Sequence, residues 1–421
     1  MLEGFREHAL KKGGFMDDQI LQTAADMYGT PSYVFDLDEF HQRIRHMKEI
    51  LGHERKICYA MKANPFLAAT SAQAADGLEV CSPGEYAICR RAGVPGKKIV
   101  LSGVNKEPQQ ILEVMGEGGA AAFTAESLYQ LQILEACAAQ ESGQITAQKS
   151  AVPVLLRLTS GNQFGMDEET VRAIIRDRGS YPHLDFIGLQ YYSGTQKNQM
   201  SKLKKELEYL DGVLAGIREE LVYELRELEY GPGLSIPYFE GQKIQDEDLM
   251  LREFRDFLDQ MEFTGTITLE AGRFLAAPCG SYITQVVDLK RSQGQNYCIV
   301  DGGIHHVNYY GQAMAMKIPL HRFMPRQASG RREEERWTVC GSLCTSGDML
   351  VKNLPLPGPA MGDLLVFDRI GAYSVTEGIY LFLSRRLPRI LTYTEADGLC
   401  LVRRDLPTDP LNDGSIHIDQ L

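Results

Sequence analysis

The sequence predicts an α/β fold: a parallel (β/α)8 barrel of the TIM type with a second, C-terminal β-rich domain. Three observations predict it. Eight strand-like runs alternate with helical segments through the first two thirds of the chain, the alternation stops after Phe274, and polar residues collect where the predicted barrel strands end.

The eight runs are rich in Val, Ile, Tyr and Phe. They are KICYAMKA from Lys56, GLEVCS from Gly77, KIVLSG from Lys98, AAAFTAE from Ala120, VPVLLRL from Val152, LDFIGLQYY from Leu184, RELEYG from Arg226 and GTITLEAG from Gly265. Helical periodicity fills the intervals. Asp167 suits the N-cap of a helix reaching Asp177, with Val171, Ile174 and Ile175 as its apolar stripe. A longer helix from Met200 to Leu221 carries Leu203, Leu207, Leu210, Leu214, Ile217 and Leu221 on one face. Eight strand–helix units in ~240 residues match a closed barrel, whose chemistry sits on the loops at the C-terminal strand ends; an open doubly wound sheet is the alternative.

After Phe274 the runs SYITQVVDLKR, QNYCIVDGG, RWTVCG, GDLLVFDRIG and RILTYTEADGLCLVRR read as strands and turns with few helices between them. The expected domains are therefore 30–274 for the barrel and 275–421 for the β domain, with 1–29 packing on the latter. RQASGRREEER, before Trp337, reads as a charged surface loop, and the polar tail from Asp405 as loosely held.

Composition narrows the function. With 421 residues, 44% of them hydrophobic and 24% charged, the chain has material for a full core, which excludes global disorder. Its 44 Lys and Arg against 56 Asp and Glu give −12, the wrong sign for a phosphate backbone, so nucleic acid is not an expected partner. No run approaches the ~18 apolar residues of a membrane span, and MLEGFREHALKKGGF has no apolar signal core. A cytoplasmic protein is expected. The nine cysteines are scattered without a CxxC pair and read as reduced thiols. Cys340 and Cys344 stand four apart with no His pair at ligand spacing, so no metal site is expected.

The chemistry-bearing residues sit at strand ends. Lys62 closes the first barrel strand in YAMKANP. Alone, such a lysine is an ordinary solvated charge; at a barrel mouth, with a depressed pKa, it can form a Schiff base. Gly231-Pro232-Gly233 follows the seventh barrel strand, and Glu270-Ala271-Gly272-Arg273 ends the eighth. Those two loops are the common phosphate site of barrels, because small residues let backbone N–H groups approach the oxygens. Thr195 in SGTQ adds a hydroxyl. Glu270 and Arg273 also suit a plain surface ion pair, but a carboxylate inside the mouth can keep a pyridine nitrogen protonated and make the ring an electron sink.

YAMKANP, VCSPGEY, FIGLQYYSGTQ, EYGPGLSIPYF, LEAGRFL, CGSLCTSGD and GAYS resemble, in order and spacing, the fold type III pyridoxal-phosphate decarboxylases, in particular the diaminopimelate decarboxylase-like branch. The resemblance runs from about Tyr28 to Leu387. It implies pyridoxal 5'-phosphate as cofactor, Lys62 as the Schiff-base lysine and Glu270 as the partner of the pyridine nitrogen. Gly231, Gly233, Gly272, Arg273 and Thr195 would lie around the phosphate, with Tyr373 of GAYS as a further ligand. Cys344 would reprotonate the product carbanion, delivered by the second subunit of a homodimer with shared sites, with Asp348 close by.

Several positions depart from that pattern. Tyr192 replaces the histidine that usually stacks on the ring, keeping a stacking surface and losing an imidazole. Pro232 removes one backbone donor from the family's GGG turn. Thr345 follows Cys344 where diaminopimelate decarboxylases carry a Glu that reads the distal amine. A hydroxyl cannot replace that charge-assisted contact, ~1.5–3 kcal/mol where it exists, so meso-diaminopimelate is not the expected substrate.

The expected activity is decarboxylation of an amino acid or a derivative of one. YYSGTQ, YGPG and FLSRRLP also resemble relatives that decarboxylate glutamyl groups on an acyl carrier protein, or that accompany exosortase systems. For a carrier substrate, Lys202, Lys204 and Lys205, or Arg385, Arg386 and Arg389, offer local basic patches, although such charges are ordinarily just solvated. A racemase of the same fold is a further alternative, weakened by Glu270, since the racemases this fold resembles place an arginine there. A non-catalytic cofactor-binding relative is another, weakened because Lys62 and Cys344 are both retained.

Overall fold

The computed structural model describes residues 15–144, 151–242, 246–309, 315–326 and 333–415. The chain divides into two compact units. One takes in the described residues up to Phe40, those from Pro237 to 242, and those from Ala276 onward; the other runs from His41 to Ile236 and from 246 to Leu275.

A short first strand, β1 (Ser32–Asp36), belongs to the β-rich unit. Eight strands then close a parallel barrel: β2 (Lys56–Ala60), β3 (Gly77–Val80), β4 (Ile99–Leu101), β5 (Ala122–Ala125), β6 (Val152–Leu158), β7 (Leu184–Tyr192), β8 (Glu227–Gly231) and β9 (Thr266–Ala271). These are the eight expected runs, and β9 returns to pair with β2, which decides for the closed barrel over the open sheet. Cys58, Val100, Ala122, Leu155 and Ile187, from five different strands, form one buried cluster.

The helices follow the sequence logic. Asp167 caps Glu168–Arg176 by accepting from Thr170 N at 2.7 Å, and Val171, Ile174 and Ile175 are its buried face. Such a cap stabilises a helix by ~1 kcal/mol. On Met200–Leu221, Leu203, Leu207, Leu210, Leu214 and Ile217 are buried as expected and Val213 joins them, while Leu221 is only partly covered where the helix ends.

The second unit is built on one nine-stranded sheet. Its further strands are β10 (Gly280–Ser292), β11 (Gln295–Val300), β12 (His321–Met324), β13 (Glu334–Cys340), β14 (Met349–Pro357), β15 (Leu364–Asp368), β16 (Arg389–Thr394) and β17 (Gly398–Arg403). The main path is β14-β13-β11-β10-β1-β16-β17, with β15 joining β10 to β12. The expected boundary at residue 30 falls just before β1, which pairs antiparallel with β10 and parallel with β16, so the barrel unit starts at His41. Val34 of β1 packs with Leu21, Ala25, Ile283, Val366 and Leu391 in the core of the β unit.

Of the tail from Asp405, residues 405–415 are described and are tied down rather than loose: Leu406 bridges Leu387, Thr408 is buried, and Asn412 Nδ2 donates to Leu381 O at 2.7 Å; the rest lies outside the described residues. The expected charged loop RQASGRREEER lies partly outside the described residues. Among the described residues no helix is long and apolar enough to cross a membrane.

Candidate active site at the barrel mouth

β2 stops at Ala60 because Asn64 and Pro65 start a new turn. The Asn64 side chain accepts from Phe66 N at 3.1 Å, and Pro65 has no N–H for a strand ladder. The intervening 3-10 turn Met61–Ala63 carries Lys62. Its Nζ donates to Glu79 Oε2 at 2.6 Å and to Glu270 Oε1 at 3.2 Å. Glu79 lies on β3 and Glu270 on β9, the two strands that flank β2. The lysine side chain is 39% exposed, against 3% and 7% for the two carboxylates. The amine thus faces the open mouth while its counter-charges are sunk in the wall.

The two carboxylates differ. Burial and the charge on Glu79 push Glu270 up to about 7. Burial also opposes the ionisation of Glu79, but the Lys62 ammonium outweighs it and holds that carboxyl down at about 2. Of the pair, Glu79 is the stronger acid and Glu270 the weaker. One strand further along the wall, Glu229 on β8 accepts from Gln190 Nε2 at 2.7 Å; burial, then Glu270 and Glu79, push it well above the usual carboxylate range. Sequence reading singled out strand-end residues and passed over Glu79, Gln190 and Glu229. The available signal was a polar side chain at an inward position of an otherwise apolar strand, the signal Glu270 itself gave.

The anion cradle is pinched by glycine. Tyr192 ends β7 beside Gly231, and a Cβ added to Gly231 would lie 2.6 Å from the Tyr192 ring. Gly233 has φ +62, and a Cβ there would lie 2.0 Å from the Gly194 carbonyl oxygen. At Gly272 a Cβ would meet the methyl groups of Ala63 and Ala60 at 3.0 and 3.2 Å. Arg273, buried at 7% exposure, sends Nε to Thr195 Oγ1 at 3.3 Å, joining the loops after β7 and β9. Eight of the expected site residues, Lys62, Tyr192, Thr195, Gly231, Gly233, Glu270, Gly272 and Arg273, thus gather at one barrel mouth.

Four expected residues lie in the β unit. Cys344 and Thr345 are exposed on a turn between β13 and β14. Asp348, buried, accepts from Leu343 N at 2.7 Å and Ile304 N at 2.8 Å, so its carboxylate pins that turn in place. Tyr373 has φ 68, and its carbonyl accepts from Thr376 N and Glu377 N at 2.8 and 2.9 Å. A non-glycine residue held in the left-handed region costs ~1–3 kcal/mol and is characteristic of ligand-binding segments.

An amine, a buried carboxylate and a glycine-lined cradle with a buried arginine, all at the C-terminal end of one barrel, are a donor set that fits pyridoxal phosphate. Residues 37–277 match the family model for the pyridoxal-dependent decarboxylase, pyridoxal binding domain. The L-glutamyl-[BtrI acyl-carrier protein] decarboxylase of Niallia circulans is 30% identical over 389 residues, covering 89% of this chain and 91% of that protein. The diaminopimelate decarboxylase of Methanocaldococcus jannaschii is 26% identical over 413 residues, covering 92% of each. The crystal structure of that enzyme with L-lysine shares the fold, with a TM-score of 0.81 at 23% identity over 97% of this chain and 98% of that one. Barrel, site and sequence agree: the chain belongs to the pyridoxal-dependent decarboxylases.

Proposed function

We propose that this decarboxylase acts on an amino-acid group whose distal end is not a free ammonium, and that Lys62, Glu270 and Cys344 carry its chemistry. The contact of Lys62 with Glu79 and Glu270 carries this reading. When bound, pyridoxal phosphate supplies the sink for the electrons left at the α-carbon as carbon dioxide departs. Lys62 holds the cofactor through its amine. Glu270, in its ionised form, would stand at the ring nitrogen and keep a proton there. Tyr192 would offer its ring to the cofactor ring, and Thr195, Gly231, Gly233, Gly272 and Arg273 would hold the phosphate, with Tyr373 as a further ligand. Cys344 gives its thiol proton to the α-carbon from the partner subunit of a homodimer, which accords with its exposure on the β unit. Thr345 and Asp348 belong to the substrate end, Asp348 through the turn it pins. All nine cysteines are unpaired, which supports a reducing, cytoplasmic setting.

A second reading, that the amino-acid group is carried on an acyl carrier protein, is favoured by the 30% identity to the glutamyl-carrier decarboxylase and by Thr345. Of the patch considered for docking, Arg386 and Arg389 both pair with Asp405, at 2.6 and 3.1 Å, which leaves Arg385 as its exposed cation without a salt bridge among the described residues. The test is carbon dioxide release across free amino acids and their carrier-linked forms. Turnover of a carrier-linked glutamyl group with none of the free acid selects the second reading; release from no amino-acid group overturns both.

A further inference from the structure

Behind the anion cradle, one carboxylate collects three short hydrogen bonds. Glu206, on the helix Met200–Leu221, accepts from Ser193 Oγ at 2.6 Å, Lys197 Nζ at 2.7 Å and Tyr230 OH at 2.6 Å. The side chains of Lys197 and Glu206 are only 9% and 17% exposed. Ser193 and Lys197 bracket Thr195, and Tyr230 directly precedes Gly231, so the bonds converge on both loops of the cradle. Those loops are further laced together. Lys197 N donates to Gly233 O at 2.9 Å, while Gln196 exchanges two bonds with the Ile236 backbone at 3.0 and 2.8 Å. Gln196 sits at φ 58, a left-handed conformation that a non-glycine residue keeps only where its surroundings hold it.

We propose that Glu206 is a positioning residue for the cofactor phosphate, fixing the spacing of the Thr195 and Gly231–Gly233 loops and compensating the Lys197 ammonium behind them. The proposal rests on the reading that the phosphate lies between these loops. A cradle holds a dianion well only if its donors are fixed before the ligand arrives, because otherwise binding must also order the loops. Two donors from the loop after β7 and one from the end of β8, all on one largely covered carboxylate, provide that fixing. Without the carboxylate, the Lys197 ammonium is left buried and uncompensated and pulls its loop toward water.

The experiment titrates cofactor-stripped protein with pyridoxal phosphate, following the visible band and the 31P resonance of the bound phosphate, and compares Glu206→Gln, Tyr230→Phe and the parent. Glu206→Gln is expected to raise the apparent Kd by roughly tenfold, the size of one lost hydrogen bond to a charged group, and to shift the 31P resonance. The affinity loss should exceed any loss of kcat at saturating cofactor. Tyr230→Phe, which deletes a single donor and nothing else, should move Kd in the same direction by roughly threefold. Melting of the cofactor-free form reports folding separately. An unchanged Kd and 31P shift in both variants overturns the proposal, as does a Kd change that only tracks the melting temperature. If Thr195→Ala and Arg273→Leu also leave Kd unchanged, the placement of the phosphate is what fails; if they weaken binding and the Glu206 variant does not, the positioning role alone fails.

Discussion

Lys62 Nζ lies 2.6 Å from Glu79 Oε2, closer than the 3.2 Å that separates it from Glu270. The two carboxylates share one ammonium, and the charge of Glu79 is part of what holds Glu270 up at about 7. Replacing Glu79 by Gln removes that like charge, so Glu270 ionises at lower pH. The acid limb of the kcat/KM profile is expected to move down by about one pH unit, with activity lowered at least tenfold because Lys62 loses its tighter partner. A pH–rate profile of the variant with its limb unmoved would show that Glu79 does not set the proton affinity of Glu270.

Lys62 itself gives the simplest chemical test. The protein is expected to carry its cofactor on this amine, seen as a visible band that borohydride abolishes while leaving a covalent lysyl adduct. Lys62→Ala should lose that adduct. Lys62→Arg should lose it too, since a guanidinium stays charged and is no nucleophile. Peptide mapping of the reduced protein decides: an adduct on any other lysine refutes the assignment.

The eight barrel strands were legible because each is a short Val, Ile or Tyr run followed by turn residues, and Lys62 and Glu270 because they stand where such runs end. β1 was not read, since five residues before a helix look like the barrel's lead-in and only the pairing of Val34 with β10 and β16 places them in the other unit. β14 contains Pro355 and Pro357, which argue against a strand in sequence and are tolerated here on the sheet's edge. Glu79 was missed for a different reason. Glu79 and Glu270 are both one residue short of their strand ends, but only Glu270 is followed by a glycine turn and an arginine that mark it out in the sequence.

His305 and His306 give the β unit a pH signature. His305 is 1% exposed with both ring nitrogens lacking a partner among the described residues, and burial, then Arg385, lower it to about 4. A histidine depressed below its unfolded value of ~6.5 stays neutral in the fold while the unfolded chain takes up a proton, so its stability contribution is lost as pH falls from about 6.5 toward 4. Glu270 works in the opposite sense: raised to about 7, its contribution is present below ~4.5 and lost as pH rises toward 7. Melting of the cofactor-free protein should therefore show opposed slopes, separable by variant. His305→Phe should flatten the acid-side loss by a few degrees, on the scale of ~2–4 °C per kcal/mol, and Glu270→Gln the loss toward neutrality. An acid slope unchanged by His305→Phe would assign it to other groups.

Shared sites make a quantitative prediction. If Cys344 serves the barrel of a partner subunit, mixing Lys62→Ala with Cys344→Ala protein restores up to about one quarter of wild-type sites, because half of randomly reassorted dimers are mixed and each has one intact site of two. Carbon dioxide release after verified subunit exchange measures it. No recovery would place lysine and thiol on the same chain.

If Thr345 stands at the substrate end of the site, it decides what the enzyme accepts. A site that reads a distal ammonium must offer it a carboxylate, since an uncompensated buried cation costs several kcal/mol. On the turn that Asp348 pins, Thr345 presents a hydroxyl, while Asp348 is buried with one backbone amide, of Leu343 or Ile304, on each of its oxygens. Meso-diaminopimelate is therefore expected to be turned over at least about a hundredfold less efficiently than the true substrate, ~2.7 kcal/mol of transition-state discrimination. The preferred distal end is neutral, hydroxylated, acidic or carrier-linked. Thr345→Glu restores a carboxylate at this position and should raise the relative use of diaminopimelate while lowering that of an acidic substrate, through repulsion between like charges. The measurement is kcat/KM for both substrates in both proteins. Efficient decarboxylation of meso-diaminopimelate by the parent enzyme would mean that a residue other than the one after Cys344 reads the distal amine.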